Sequence, residues 1–396
     1  MTTFGEKLRQ TRLDRGLSLT RLAQLAHYNK GYLSRLESGQ KPPSEEAARA
    51  CDNALDSHGE LIAAAYLDIA ANRDTKPWQT AELISRIQKS DTDPVTLEAL
   101  HSTIFELGSE YAYRDADELR SDAHVWLRRI AEMLRKPVGL QAHSELLTAT
   151  GWLALLVGCI EYDMGLRTAA EVTRAAAQKL GEEADSAEIV GWSYEMSAWF
   201  ALTQNRYRDV LAAASAAQRQ SRNHAVVVQL VAQEAKALAR IGNATEVRKK
   251  LDEGHELLES FPVPERTDNH FVVDPAKWDF YAMDAYRLAG EDSLATMHAK
   301  EVLRTGTTPD GSEIAPMRMA EARLTLAVAA ARQDDLEQAT SLGHTALTAS
   351  RQSLPSLLMV AGELDSELER RFPRESETEE LREVLRALRL ESSRHP

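Results

Sequence analysis

Apolar residues recur at spacings of three and four along nearly the whole of this 396-residue chain, and no stretch alternates β-branched with polar residues between turn pairs. A chain patterned in this way buries its apolar faces by packing helix on helix, so the expected fold class is all-α. Its length allows two or three units with separate cores. With 43% hydrophobic and 27% charged residues, neither wholesale disorder nor a fibrous repeat is indicated.

Punctuation divides the pattern. Phe4, Leu8 and Leu13 mark a first helix ended near Gly16, and Ser18 is a natural N-cap for a second carrying Leu22, Ala23 and Ala26. After a short turn at His27 and Tyr28, Asn29 can cap a third helix with Leu33 and Leu36 inward. Gly39 closes that helix before Pro42 and Pro43, and Ser44 caps a fourth. A fifth covers Glu60 to Ala71. The expected units are a five-helix domain at 1–71, with a helix-turn-helix at about 19–38, a polar linker at 72–79 (NRDTKPWQ), connecting helices at 80–144, helical repeats at 145–373 and a charged helix or tail at 374–396.

Within the repeats, turns fall at Asp163–Gly165, Gln204–Asn205, Gly242–Asn243, Gly290–Asp292 and Gln333–Asp335. Their spacing of roughly 40 residues resembles a degenerate tetratricopeptide array, whose strict period is about 34, lengthened by loops. The longest interruption, Ser260 to Pro275, reads as an ordered inter-repeat loop. The last helix, with Leu381, Val384, Leu385 and Leu388 on one face, either caps the array or pairs with itself.

Charge is distributed unevenly. The net value is −14, yet residues 1–43 hold eight basic and three acidic side chains, a local +5 that leaves −19 for the remainder. A small phosphate-seeking head on an acidic body would show this asymmetry. The segment Leu17–Pro43, LSLTRLAQLAHYNKGYLSRLESGQKPP, supplies the matching motif. Ala23 is small where two steeply crossing helices approach, and Leu22, Ala26, Leu33 and Leu36 fill the space between them.

These residues, with the Arg-Leu-Glu-Ser-Gly run ending at Gly39, resemble the phage-repressor family of helix-turn-helix domains (lambda repressor and Cro, or XRE) over residues 4 to about 60. The resemblance implies a five-helix lambda-repressor-like DNA-binding domain followed by a tetratricopeptide-like α-solenoid. It implies that Lys30, Gly31, Ser34 and Arg35 face base edges, with Lys30 and Arg35 able to donate to guanine. It also implies that Leu19 and Thr20 (through their amides), Asn29 and Lys41 hold phosphates, and that Arg12 pairs with Glu37. Leu19 replaces a glutamine common in the family, and His27 replaces the usual turn glycine, at a position where His tolerates positive φ better than most residues.

The whole layout is similar to the peptide-pheromone receptors of Gram-positive bacteria and to large regulators of actinobacteria, whose high-GC composition the Ala- and Arg-rich sequence fits. It implies a homodimer on an inverted-repeat operator in double-stranded DNA, and a repeat groove for a peptide, small-molecule or protein effector. Trp192, Glu195, Trp199, Gln233, Trp278 and Tyr281 are candidates for that groove, with core packing the alternative for the aromatics. A different function class is a DNA-tethered scaffold whose repeats bind a partner protein.

No phosphate loop, dinucleotide fingerprint, nucleophile elbow or kinase set occurs, so no enzyme and no cofactor are expected. The 11 histidines lack metal spacing, and Cys51 and Cys159 read as packed thiols. The charged N-terminus MTTFGEKLRQ and the lack of any stretch near the ~20 apolar residues of a bilayer span lead to the expectation of a cytoplasmic protein with no membrane contact.

Overall fold

A computed structural model describes residues 3–71, 94–349 and 351–393. The described residues are helical throughout, with one isolated bridge between Thr307 and Glu313 and no strand. The chain divides into two compact units, Met1–Ile84 and Ser85–Pro396. The linker expected at 72–79 lies outside the described residues.

The first unit contains α1 (Phe4–Asp14), α2 (Leu19–Ala26), α3 (Lys30–Glu37), α4 (Glu45–Leu55) and α5 (Glu60–Ala71). Side-chain caps set the starts of the first four. Thr3 forms a reciprocal capping box with Glu6, and Ser18, Asn29 and Ser44 accept from the backbone N–H of Arg21, Gly31 and Ala47. Phe4, Leu8, Leu22, Leu33, Leu36, Cys51 and Leu61 form one core. Burial pushes the Cys51 thiol up to about 12, so it behaves as an apolar filler. Leu13 is exposed, and the position one turn after Leu8 on the inward row is held by Arg12, because positions 4, 8 and 12 share a helix face and 13 turns away.

The second unit starts with α6 (Pro94–Glu110) and α7 (Ala116–Leu134), followed by six antiparallel hairpins. These are α8 (Leu140–Asp163) with α9 (Arg167–Glu183), α10 (Ala187–Thr203) with α11 (Tyr207–Ser221), and α12 (Val226–Ile241) with α13 (Ala244–Ser260). Next come α14 (Pro275–Leu288) with α15 (Asp292–Thr305), α16 (Pro316–Arg332) with α17 (Leu336–Leu347), and α18 (Leu354–Arg371) with α19 (Ser376–Ser393). All five expected repeat turns separate the two helices of a hairpin. The first helix of each hairpin packs on the first helix of the next, from α8 through α10, α12, α14 and α16 to α18. This arrangement makes a continuous inner layer with the second helices outside it.

The inner layer then curls onto itself. α18 touches α8 and α10. Trp199 Nε1 on α10 donates to Ser356 Oγ on α18 at 2.9 Å, and Arg351 reaches Asp163 at the end of α8 at 2.9 Å. A second buried network ties α12, α14 and α18. Asp284 accepts from Arg240 (3.0 Å) and Arg287 and lies 3.5 Å from Lys236, while Glu363 accepts from Arg240 (3.3 Å) and Arg287 (2.8 Å). The three cations hold the Asp284 carboxyl well below its usual range.

Of the two readings of the last helix, capping is the one observed: Leu381 and Leu385 of α19 are buried, with Val384 and Leu388 packed beside them, against α17 and α18 of the same chain, so 374–393 completes a sixth hairpin. And α8 is, by length and composition, apolar enough to cross a membrane, a stretch the sequence reading did not register. Here it is a core helix. It packs against α7, α9 and α10, and its buried Glu161 and Asp163 pair with Arg120 and Arg351, both at 2.9 Å.

Candidate nucleic-acid interface and a cavity in the helical body

The geometry of the first unit begins with the turn between α2 and α3. His27 ends α2 in the left-handed region at φ 57°, and Asn29 Oδ1 accepts from Gly31 N at 2.7 Å to start α3. Leu33 and Leu36 face the core, which leaves Lys30, Gly31, Ser34 and Arg35 exposed along one stripe of α3. Lys30 and Arg35 have no ion-pair partner among the described residues. Glu37, the one acidic residue of α3, is turned inward. Arg12 Nε and Nη2 donate to its two oxygens at 2.6 and 2.8 Å, while Nη1 donates to Leu17 O at 2.9 Å. The side chains of Arg12 and Glu37 are only 11% and 8% exposed. The bidentate contact therefore does two things: it locks α1 onto α3 and keeps negative charge off the outward stripe.

The phosphate candidates surround that stripe. Thr20 is exposed and Leu19 half-buried at the start of α2. There Ser18 satisfies the Arg21 amide, leaving the amides of the first turn for an anion. Asn29 spends its oxygen on the cap, so only its amide nitrogen is left to donate outward. Lys41 stands beside α3, its ammonium 5.1 Å from the Tyr32 ring, which itself stacks on Tyr28. A residue the sequence reading missed is Gly5. A Cβ there would lie 2.3 Å from the Leu36 carbonyl oxygen, so α1 and α3 meet backbone to backbone. A glycine at the second position of a helix carries no signal of this without the partner helix in view.

Residues 3–65 match the family model of the helix-turn-helix domain. The match spans α1 to α4 and the first half of α5. The protein thus carries an N-terminal DNA-binding helix-turn-helix domain, as a regulator does, ahead of an all-helical body. No curated protein matches the chain. Within the helix-turn-helix domain, α3 is the helix whose outward stripe is free to enter a groove.

In the helical body the curled inner layer borders a partly open cavity, with about 960 Å³ of atom-free space when the adjoining solvent is included. Glu195, Trp199, Gln233 and Tyr281, four of the six groove candidates, line it. The other two do not. Trp192 is buried behind the wall, edge-on to Phe271, and Trp278 packs over Gly254 of α13, where a Cβ would lie 2.2 Å from the indole. Both follow the core alternative. The loop between α13 and α14 forms part of the wall. Asn269 Nδ2 donates to Phe105 O at 2.7 Å, and His270 packs on Tyr111 with ring centroids 4.1 Å apart.

Sequence reasoning missed Gln229, Lys236, His270, Lys277, Arg318 and Glu321, which also line the cavity. The signal for α12 was present: polar Gln229, Gln233 and Lys236 interrupt a helix that is mostly Val, Ala and Leu. Burial raises the Glu195 carboxyl, opposed by amide hydrogen bonds from Gln233 and Gln229, and pushes Glu321 up to about 7. Burial, with Arg318 nearby, lowers Lys277 to about 7.

Proposed function

We propose that this protein is a sequence-specific transcription regulator of the phage-repressor (XRE) type, in which α3 reads the major groove and the tetratricopeptide-like body dimerises and senses an effector. The observation that carries the reading is the exposed stripe of Lys30, Ser34 and Arg35 on a helix locked from behind by the Arg12–Glu37 pair. Arg35 can donate in bidentate fashion to guanine O6 and N7. Lys30 can donate to the same edge, and Lys41, Asn29 and the α2 amides position the domain on phosphates.

One such motif covers only a few base pairs, so a homodimer on an inverted repeat is the expected form, acting in the cytoplasm where the DNA lies. The face of α19 is occupied within its own chain and is not the dimer contact proposed. Catalysis is no part of the reading. The cavity favours a small effector over a partner protein, because α18 packs against α8 and α10 and narrows the concave face that a partner protein would need.

Binding of the full chain to a selected duplex, followed by fluorescence anisotropy against salt, tests the proposal. Affinity is expected to fall steeply as salt rises, through counterion release. A specific complex indifferent to salt would refute it. Light scattering is expected to give a dimer at micromolar concentration without DNA, and a monomer would remove the body as a standing dimeriser.

A further inference from the structure

One wall of the body cavity presents acceptors that have no donors. Gln229 and Gln233, one turn apart on α12, both donate an amide N–H to Glu195 Oε1, at 2.9 and 2.7 Å. That carboxylate fixes the orientation of both amides, because flipping either would set a carbonyl oxygen against it. Their Oε1 atoms are left buried and without a partner, on side chains only 5% and 3% exposed. Buried acceptors are almost always satisfied, so two orphans on one cavity wall call for a donor from outside the chain. Glu321 on α16 lines the same space, 6% exposed, with no hydrogen-bond or ion-pair partner among the described residues.

The cations of the cavity are not equivalent. Lys236 lies 3.5 Å from Asp284 and over the rings of Phe280 and Tyr281, and the Lys277 ammonium is caged by the carbonyls of Asn269, His270 and Val272. Arg318, one turn before Glu321, is half-buried at the cavity and has no partner among the described residues. The free groups are thus acceptors and a carboxyl on one hand and a guanidinium on the other, with Trp199 and Tyr281 supplying aromatic surface.

We propose that the cavity binds a small amphoteric molecule with an aromatic or apolar body, its ammonium taken by the Gln229 and Gln233 oxygens with Glu195 and Glu321, and its acidic group by Arg318. The proposal deepens the effector reading above and rests on it. The space, bordered by Trp199, Phe280 and Tyr281, suits a ligand the size of an aromatic amino acid or a dipeptide.

Calorimetry on the full chain with L-phenylalanine, L-tryptophan and glycyl-L-phenylalanine separates the free amino acid from the peptide source. Phenethylamine, without the acid, and 3-phenylpropionate, without the ammonium, are the controls. At least one amphoteric probe is expected to bind roughly tenfold or more tightly than either control, as a charge-assisted hydrogen bond at each end requires. Arg318→Met is expected to remove the advantage over phenethylamine while leaving phenethylamine binding unchanged. Because Arg318 has no partner to strand, this variant should keep the wild-type circular dichroism and melting temperature. The double variant Gln229→Met/Gln233→Met is expected to remove the advantage over 3-phenylpropionate. The proposal is overturned if no amphoteric probe binds at millimolar concentration, if 3-phenylpropionate binds as tightly as they do, or if Arg318→Met binds them unchanged. Operator binding measured on the same preparation keeps the two readings apart: DNA binding without ligand binding sinks the ligand class alone, and loss of DNA binding sinks the regulator.

Discussion

Replacing Arg12 with methionine should nearly unfold the helix-turn-helix domain, although the residue is no part of the DNA-facing stripe. The guanidinium makes two charge-assisted hydrogen bonds to Glu37, at 2.6 and 2.8 Å, and one to Leu17 O at 2.9 Å. Methionine fills the stem but leaves the Glu37 carboxylate, 8% exposed, with neither partner nor water. Stranding one member of a buried pair costs about 3–5 kcal/mol. The pair lies at the edge of the core, so the expected loss is about 3 kcal/mol, roughly a hundredfold in the opening equilibrium.

Because the chain divides into two compact units, the assay should report on the first unit alone. Hydrogen exchange with mass spectrometry on the full chain does this through the slowest amides of α1 and α3. Arg12→Met and Glu37→Gln should each lower protection strongly. The double variant Arg12→Met/Glu37→Met, which strands no charge, should recover much of it. If the single changes cost under about 1 kcal/mol, or if the double variant costs their sum, the pair is not the lock described here.

Other consequences are as direct. Gly5→Ala would place a Cβ 2.3 Å from the Leu36 carbonyl oxygen, backbone that cannot swing aside, so thermal melting should show the helix-turn-helix domain destabilised by about 1–3 kcal/mol. An unchanged transition would mean α1 and α3 are not in backbone contact. For Glu321, burial raises the folded-state value to about 7 from an ordinary 4.5. The contribution of its proton is fully present below pH about 4.5 and is lost as pH rises toward 7, worth at most about 3 kcal/mol. Calorimetric melting of the body should therefore fall in temperature between pH 5 and 7 and flatten above, and Glu321→Gln should remove that slope. A slope unchanged in the variant would assign it to other groups.

How much of this was legible in the sequence depended on whether a feature was local. Caps at Ser18, Asn29 and Ser44, the turn at His27 and all five repeat turns were readable because each is decided by the residues within one helical turn of it. Arg12–Glu37 was readable through the motif, 25 positions apart. What was not readable depends on a remote partner. The role of α19 depended on whether α17 and α18 left a groove for it, which no local pattern decides. Trp192 and Trp278 could not be told from Trp199, since only the curl of the inner layer determines which indoles border the central cavity. Gln229 on α12 and Arg318 and Glu321 on α16 come together because two separate hairpins face one cavity, a juxtaposition no local pattern encodes.

The account stands or falls on whether α3 reads sequence, and selection of duplexes from a randomised library by the full chain tests this most directly. The wild type should enrich a single inverted-repeat site with half-sites about one helical turn apart. Arg35→Ala should relax preference at one position of each half-site, a loss of about 1–3 kcal/mol there, while Lys41→Ala should enrich the same site with uniformly weaker binding. Recovery of no common site by the wild type, or of the unaltered site by Arg35→Ala, would contradict the assignment of α3 as the reading helix.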